Sequence, residues 1–348
     1  MNLKEATRKL WETCFDDSKE FTDLYFSRRY TDEVNHFIEL DGQVVSALQT
    51  LPYPMSSGSS LIRTAYVSGV CTHPDYRERG LMKTLMQQTH QALYREGVVL
   101  ATLIPAEEWL KGYYARFGYG ISFFYQQRSE VINKYTQPVN NLESNLKIRE
   151  IDQLKSWNKS LFRFFEQENL RRNAYLQHTY EDSQDILADH LLSGGKLYVA
   201  YAGEEIRGMA WGILHEGQLT LKDFSLGEGV EKDQLFTALA IHCEANEINY
   251  MLPGKAPEAQ PLGMARVIHA EKALSLFAQE GILTVPGIQI SGDKDIPENN
   301  GYYCLEKGRY IRVGEKAPSG EEVPCFQLSE LISGLFNRMH PYMSLMLN

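Results

Sequence analysis

The 348-residue chain is 43% apolar and 23% charged, which describes two or three folded domains and excludes a largely disordered protein. With 35 Lys and Arg against 45 Asp and Glu, its net charge of −10 repels polyphosphate and excludes broad nucleic-acid binding. The longest apolar stretch, Val98 to Ile104, is far short of the about 20 residues that a membrane helix needs.

The first helical pattern is Leu3, Leu10, Trp11 and Phe15. Strand-like runs follow at His36–Leu40 and Val44–Leu51, joined by a turn at Asp41-Gly42, and then at Ala65–Thr72. Leu81, Met82, Leu85, Met86 and Leu93 recur at helical spacing, with Gly97 as the stop. Val98–Ile104 reads as a buried strand, Glu107–Arg116 as a short helix ended by Gly118, and Ile121–Tyr125 as a further strand. This order of strands and helices predicts an α/β domain over residues 1–132. Two polar or proline-rich stretches, Asn133–Asn145 and Leu252–Gly263, set off further domains at 146–251 and 264–348.

In the middle segment, strands are expected at Lys147–Ile151, Lys196–Ala202, Ile206–Leu214 and Gln218–Phe224, with helices at Gln153–Phe165 and Asp233–Ala245. The last segment is expected to open with a helix, Ala265–Gln279. Strands at Tyr302–Leu305 and Tyr310–Val313 follow, and then a helix near Leu328–Phe336 starting at Gln327 or Ser329. The five cysteines are odd in number and scattered, without a C-x-x-C pair. They fit a reducing compartment, so a cytoplasmic protein without a disulfide framework or zinc site is expected. The N-terminus lacks the apolar core of a signal peptide.

Two motifs bear on chemistry. In Val70-Cys-Thr-His-Pro-Asp-Tyr-Arg-Glu-Arg-Gly-Leu-Met-Lys83 a strand gives way to a turn at Pro74 and a helix near Gly80. The first turn of a helix offers unpartnered N–H groups, and Arg77 and Arg79 make the corner a small anion cradle. Taken alone, this is equally a strand-to-helix turn with ordinary surface arginines. Further on, Gly112-Tyr-Tyr-Ala-Arg-Phe-Gly-Tyr-Gly120 puts Tyr113 and Tyr114 near a helix end at the mouth of the sheet, where a phenol could donate a proton. Taken alone, it is aromatic packing.

Together the motifs resemble those of the GNAT superfamily of acetyl-CoA-dependent N-acetyltransferases. The family's phosphate motif, Arg/Gln-x-x-Gly-x-Gly/Ala, stands here as Arg77-Glu78-Arg79-Gly80-Leu81-Met82, and its later motif, Tyr-x-Arg/Lys-x-Gly-Phe/Tyr, as Tyr114-Ala115-Arg116-Phe117-Gly118-Tyr119. The long Met82 at the family's small position is familiar from the Eis-like branch (enhanced intracellular survival proteins). That branch has a catalytic GNAT domain, a second GNAT-like domain without a working phosphate motif, and a C-terminal domain like sterol carrier proteins. The chain length, the two seams, the acidic Ser225-Leu-Gly-Glu-Gly-Val-Glu-Lys232 and the tail sequences Met264-Ala-Arg-Val, Ile296-Pro-Glu-Asn-Asn-Gly and Leu328-Ser-Glu-Leu-Ile-Ser-Gly-Leu are similar to it.

The resemblance implies a residue-by-residue assignment. The backbone of Val70, Cys71 and Thr72 would pair with pantetheine, with Gly69 at a bulge that opens the strand gap. Arg77, Glu78, Arg79, Gly80, Leu81, Met82 and Lys83 would hold the pyrophosphate of acetyl-CoA, while Ala106 and Glu107 line the thioester. Tyr114 would be the general acid, with Tyr113 second, and Cys71 a packed thiol rather than a nucleophile. The Eis-like branch implies the C-terminal carboxylate, here that of Asn348, as general base; the other reading makes the tail a last strand or coil packed on the C-terminal domain. A base is needed because an alkylamine near pKa 10.4 is only about 0.04% neutral at pH 7. Glu107, Glu108 and His73 are fallback bases.

The expected activity is direct acetyl transfer from acetyl-CoA to a primary amine, one class being polycationic small molecules. No metal, nucleic acid or membrane takes part, and the branch implies homo-oligomers. Alternatives are a transferase using another acyl or aminoacyl donor, and a non-catalytic module that binds CoA or an apolar ligand.

Overall fold

The computed structural model describes residues 2–58, 60–132, 146–254, 257–319 and 322–346. The polar stretch Asn133–Asn145 and Asn348 lie outside them. By packing, the chain divides into two compact units: residues up to 124 with 261–341, and residues 125–260 with the tail from Tyr342.

Unit 1 opens with α1 (Leu3–Cys14), whose Asn2 cap accepts the Glu5 N–H at 3.3 Å, and α2 (Lys19–Arg28), capped by Ser18. Their inner faces bury Leu10, Trp11, Tyr25 and Phe26, with the Trp11 and Tyr25 rings 4.7 Å apart. Helix α2 has no clear sequence signature, because its aromatic residues alternate with charged ones and leave no clean apolar stripe. Strands β1 (Asn35–Leu40) and β2 (Gln43–Pro52) pair antiparallel through Asp41 and Gly42, both at positive φ (51° and 77°), which suits a tight hairpin turn. A small hairpin follows, β3 (Met55–Ser57) and β4 (Ser60–Ile62). Then come β5 (Thr64–Thr72), α3 (Leu81–Arg95), β6 (Leu100–Leu103) and α4 (Glu108–Ala115). Helix α3 crosses over between the parallel strands β5 and β6. Strand β7 (Gly120–Val131) is longer than the expected Ile121–Tyr125, and from Tyr125 onward it belongs to unit 2.

Unit 2 contains β8 (Lys147–Ile151), α5 (Lys159–Leu170), β9 (Ala174–Leu176) and α6 (Tyr180–Leu192). They are followed by β10 (Lys196–Ala202), β11 (Glu205–His215), β12 (Gln218–Leu226), α7 (Lys232–His242) and β13 (Glu247–Pro253). The second half of β7, then β13, β12, β11, β10 and β8, lie side by side in that order. Leu235, Phe236 and Leu239 of α7 fill one core of this unit, and Trp157, Phe165 and Trp211 fill another. The expected helix from Gln153 is broken: a single tight turn at Leu154–Ser156 precedes α5, which Asn158 caps.

The chain then returns to unit 1 through β14 (Gln260–Val267), α8 (Ala270–Gln279), β15 (Gly287–Ile290), β16 (Gly301–Glu306), β17 (Arg309–Gly314), β18 (Cys325–Phe326) and α9 (Leu328–Met339). Here the expectation of a helix from Ala265 is corrected. Residues up to Val267 are strand, because β14 joins the antiparallel edge of β6 with Met264 opposite Leu103, and the helix starts only at Ala270. Much of the proline-rich stretch Leu252–Gly263 is accordingly the end of one strand and the start of another. The first sheet of unit 1 runs β1-β2-β5-β6-β14, and a second sheet runs β17-β16-β15-β18.

Candidate active site

Strand β5 is paired along its full length on one side only. Toward β2 its ladder reaches from Ala65 to Thr72, whereas toward β6 it consists of Thr64–Tyr66 against Leu100–Thr102. From Val67 to Thr72 the β6-facing edge therefore carries backbone groups outside that ladder, a template for an extended ligand. The register shift opposite β2 falls between Ala47 and Gln49, beside Gly69 at φ 60°. A Cβ on Gly69 would stand 2.1 Å from the Gln49 Oε1 and 2.3 Å from the Trp11 ring, so only glycine fits this bend. The bend shifts the alternation of side chains by one residue. Val67 and Val70 face the cluster of Met86, Leu103 and Tyr114, while Cys71 faces Leu10 and Val44.

The open edge of β5 runs toward the start of α3. A short turn, Pro74–Tyr76, leads into a loop in which Glu78 and Gly80 both take positive φ (63° and 74°). Gly80 caps α3 without a side chain, and a Cβ there would meet nothing within 4 Å. The first N–H of the helix to reach a carbonyl is that of Thr84, on Gly80 O at 3.0 Å. The N–H groups of Leu81, Met82 and Lys83 thus remain at the mouth of the helix, where its dipole favours an anion. Both arginines are held at this corner. Arg77 Nε donates to Thr72 O at 3.2 Å, and Arg79 donates to Asp75 O at 2.9 Å with its guanidinium 4.8 Å from the Tyr76 ring centre. Gly80, Arg77, Glu78, Arg79 and Lys83 are exposed.

Tyr114 ends α4 on the inner side of the same cluster, 6% exposed, with the Tyr113 and Tyr119 rings at 5.5 and 5.9 Å. Burial, with Tyr113 adding to it, pushes its phenol well above the ordinary range, so it stays protonated at neutral pH. Tyr113 is half-buried beneath the Arg116 guanidinium, 4.9 Å from its ring centre. Behind Tyr114 lies a hydrogen-bonded chain that no sequence motif marks. Tyr119 Oη is 3.2 Å from His90 Nε2, and His90 Nδ1 is 2.8 Å from the Asp295 carboxylate. Burial foremost, then Arg266, pushes fully buried His90 down to about 4. The ring is therefore neutral, donating to Asp295 and accepting from Tyr119. The available signal was a histidine on the apolar stripe of α3, in step with Met86 and Leu93.

Ala106 and Glu107 follow β6 and are exposed. The Glu107 carboxylate accepts the Trp109 indole N–H at 2.6 Å, Glu108 pairs with Lys111 at 2.5 Å, and His73 accepts the Asp75 N–H at 3.3 Å. Trp109, 64% exposed at the start of α4, is an aromatic wall that the sequence motifs did not single out.

Residues 3–122 match the model of the acetyltransferase (GNAT) domain. Over these residues the chain is similar to a GNAT domain. No curated protein sequence matches the chain. Several solved structures share its fold. One is a probable N-acyltransferase of unknown function from Enterococcus faecalis V583, with a TM-score of 0.73 at 16% identity over 96% of this chain and 87% of that one. A GCN5-related N-acetyltransferase from Anabaena variabilis has a TM-score of 0.72 at 16% identity, over 99% and 95%. Eis1 from Mycobacterium abscessus has a TM-score of 0.68 at 13% identity, over 95% and 86%.

Unit 2 also holds a parallel strand pair joined by a helix, with a different corner. Strand β12 pairs in parallel with β13 over Gln218–Leu221 and continues to Leu226, with α7 as the crossover. At the start of α7, however, the Gln234 side chain accepts the Glu231 N–H at 2.8 Å, and the nearby side chains Glu228 and Glu231 are acidic. That corner is acidic and capped from within, the opposite of an anion cradle.

Proposed function

We propose that the protein is an acetyl-CoA-dependent N-acetyltransferase acting on a primary amine, with polycationic small molecules as the favoured acceptor class. The observation that carries this reading is the junction of two features: the open edge of β5 beyond Tyr66, and the side-chain-free N-terminus of α3 at Gly80. An extended arm ending in a diphosphate needs a strand edge followed by a cluster of free N–H groups. In this reading Val70–Thr72 bind pantetheine, Arg77–Lys83 bind the diphosphate, and Ala106 and Glu107 border the thioester.

The amine attacks the thioester carbonyl directly, and Tyr114 gives its proton to the departing thiolate as the tetrahedral intermediate collapses. A buried phenol that stays protonated at neutral pH has the proton that this role requires. The base is proposed to be the carboxylate of Asn348, which lies outside the described residues. Glu107 and Glu108 are already engaged by Trp109 and Lys111, which favours a base from elsewhere. Unit 2 is read as a degenerate GNAT-like domain, and the second sheet of unit 1 with α9 as the sterol-carrier-like part. Cytoplasmic location and homo-oligomeric assembly belong to the same reading.

The test is release of CoA thiol from acetyl-CoA by the full chain in the presence of a panel of amines. Amine-dependent release is expected. Its absence across mono-, di- and polyamines would contradict the assignment.

A further inference from the structure

Cys14 is the last residue of α1 and is half-buried. Its Sγ lies 3.5 Å from Thr72 O, the carbonyl that also receives Arg77 Nε. Both cysteines belong to the cluster of Leu10, Val44 and Ala47, and the Cys71 thiol and the Arg77 guanidinium lie near enough to act electrostatically on Cys14. We propose that Cys14 and Cys71 are a modification site, a dithiol at the foot of the α3 corner that a low-molecular-weight disulfide converts to a Cys14–Cys71 bridge.

The two thiols are not equivalent. The neighbouring Cys71 thiol, with Arg77 adding to it against burial, brings Cys14 down to about 7. The Cys14 thiol beside it and burial hold Cys71 well above the ordinary thiol range. Cys14 is thus the sulfur that supplies a thiolate, and it is also the one with access to solvent. Its thiolate attacks one sulfur of the disulfide, forming a mixed disulfide and expelling the other half as a thiolate. Cys71 then gives up its proton to solvent and attacks the Cys14 sulfur, expelling the second half. Two protein thiols are oxidised, and one small disulfide is reduced to two thiols. This inference depends on neither acetyl-CoA nor the amine.

The experiment incubates the reduced, CoA-free full chain with oxidised glutathione and maps its peptides by mass spectrometry. The expected result is a cross-linked Cys14–Cys71 peptide pair, lighter by two hydrogens than the reduced peptides. In Cys71→Ala the glutathione adduct is expected to accumulate on Cys14, and Cys14→Ser is expected to leave Cys71 unmodified. Adducts confined to exposed Cys325, with no bridge in the wild type and no Cys14 adduct in Cys71→Ala, would overturn the proposal.

Discussion

Tyr114 and His90 show how burial sets the chemistry of single residues here. If Tyr114 supplies the proton to the thiolate, Tyr114→Phe keeps the packing with Tyr113 and Tyr119 and removes only the donor. The turnover number should fall about 10²–10⁴-fold, with KM for acetyl-CoA little changed. Unchanged turnover in steady-state kinetics would remove Tyr114 from the mechanism. His90 carries a prediction about pH. Its folded value near 4 lies below the ordinary 6.5, so between these limits the unfolded chain binds the extra proton. Stability is therefore fully present above pH 6.5 and is lost as pH falls toward 4, by on the order of 3 kcal/mol. Asp295, which burial pushes up but its bond to His90 and the Arg266 charge together hold below its ordinary range, loses its contribution at still lower pH. In denaturant titrations at pH 7 and pH 5, the His90→Gln variant should lose less stability on acidification than the wild type. Parallel losses would contradict this account of the buried ring.

At the scale of elements, the α3 corner depends on a cap that donates nothing and fills nothing. Gly80→Asp sets a carboxylate among the free N–H groups, in a conformation that Asp tolerates better than most residues. Calorimetric titration should show acetyl-CoA affinity falling at least about tenfold from like-charge repulsion, with thermal stability nearly unchanged. Equal affinity would place the diphosphate elsewhere. This corner was legible in the sequence because its devices are local: a proline turn, a glycine, two arginines and an apolar stripe spaced for a helix. Helix α3 and the hairpin at Asp41-Gly42 were legible for the same reason. Helix α6 went unread because its stripe is interrupted by buried polar residues, Asp182, Ser183, Asp185 and His190, which only tertiary packing accommodates. Residues Ala265–Val267 were read as helix because nothing local announces that β6 has a free edge for them.

At the scale of the whole molecule, composition marks seams at Asn133–Asn145 and Leu252–Gly263, whereas the chain divides by pairing. Residues 261–341 pack with the first 124 because β14 completes the β6 edge and Arg266 bonds the Asp293 carboxylate in the interior, 2.7 Å apart. Such distant partners leave no trace in spacing. The tail is likewise fixed by residues remote in the sequence. The Tyr342 backbone bonds Ala174 and Leu176, and the Tyr342 and Ser344 hydroxyls donate to buried Asp223 at 2.6 and 2.7 Å. Asp223→Ala removes both charge-assisted bonds, worth about 2 kcal/mol or more together. Carboxypeptidase should then trim the tail several-fold faster than in the wild type. Equal trimming would show that the latch does not hold it.

The central claim is that a CoA diphosphate seats on the backbone of the α3 corner while its arm lies along β5. Amide hydrogen exchange with and without acetyl-CoA reads both parts at once. The account predicts slowed exchange confined to residues 67–72 and 78–83. Unchanged exchange in both segments at saturating acetyl-CoA, with protection elsewhere in the chain, would contradict it.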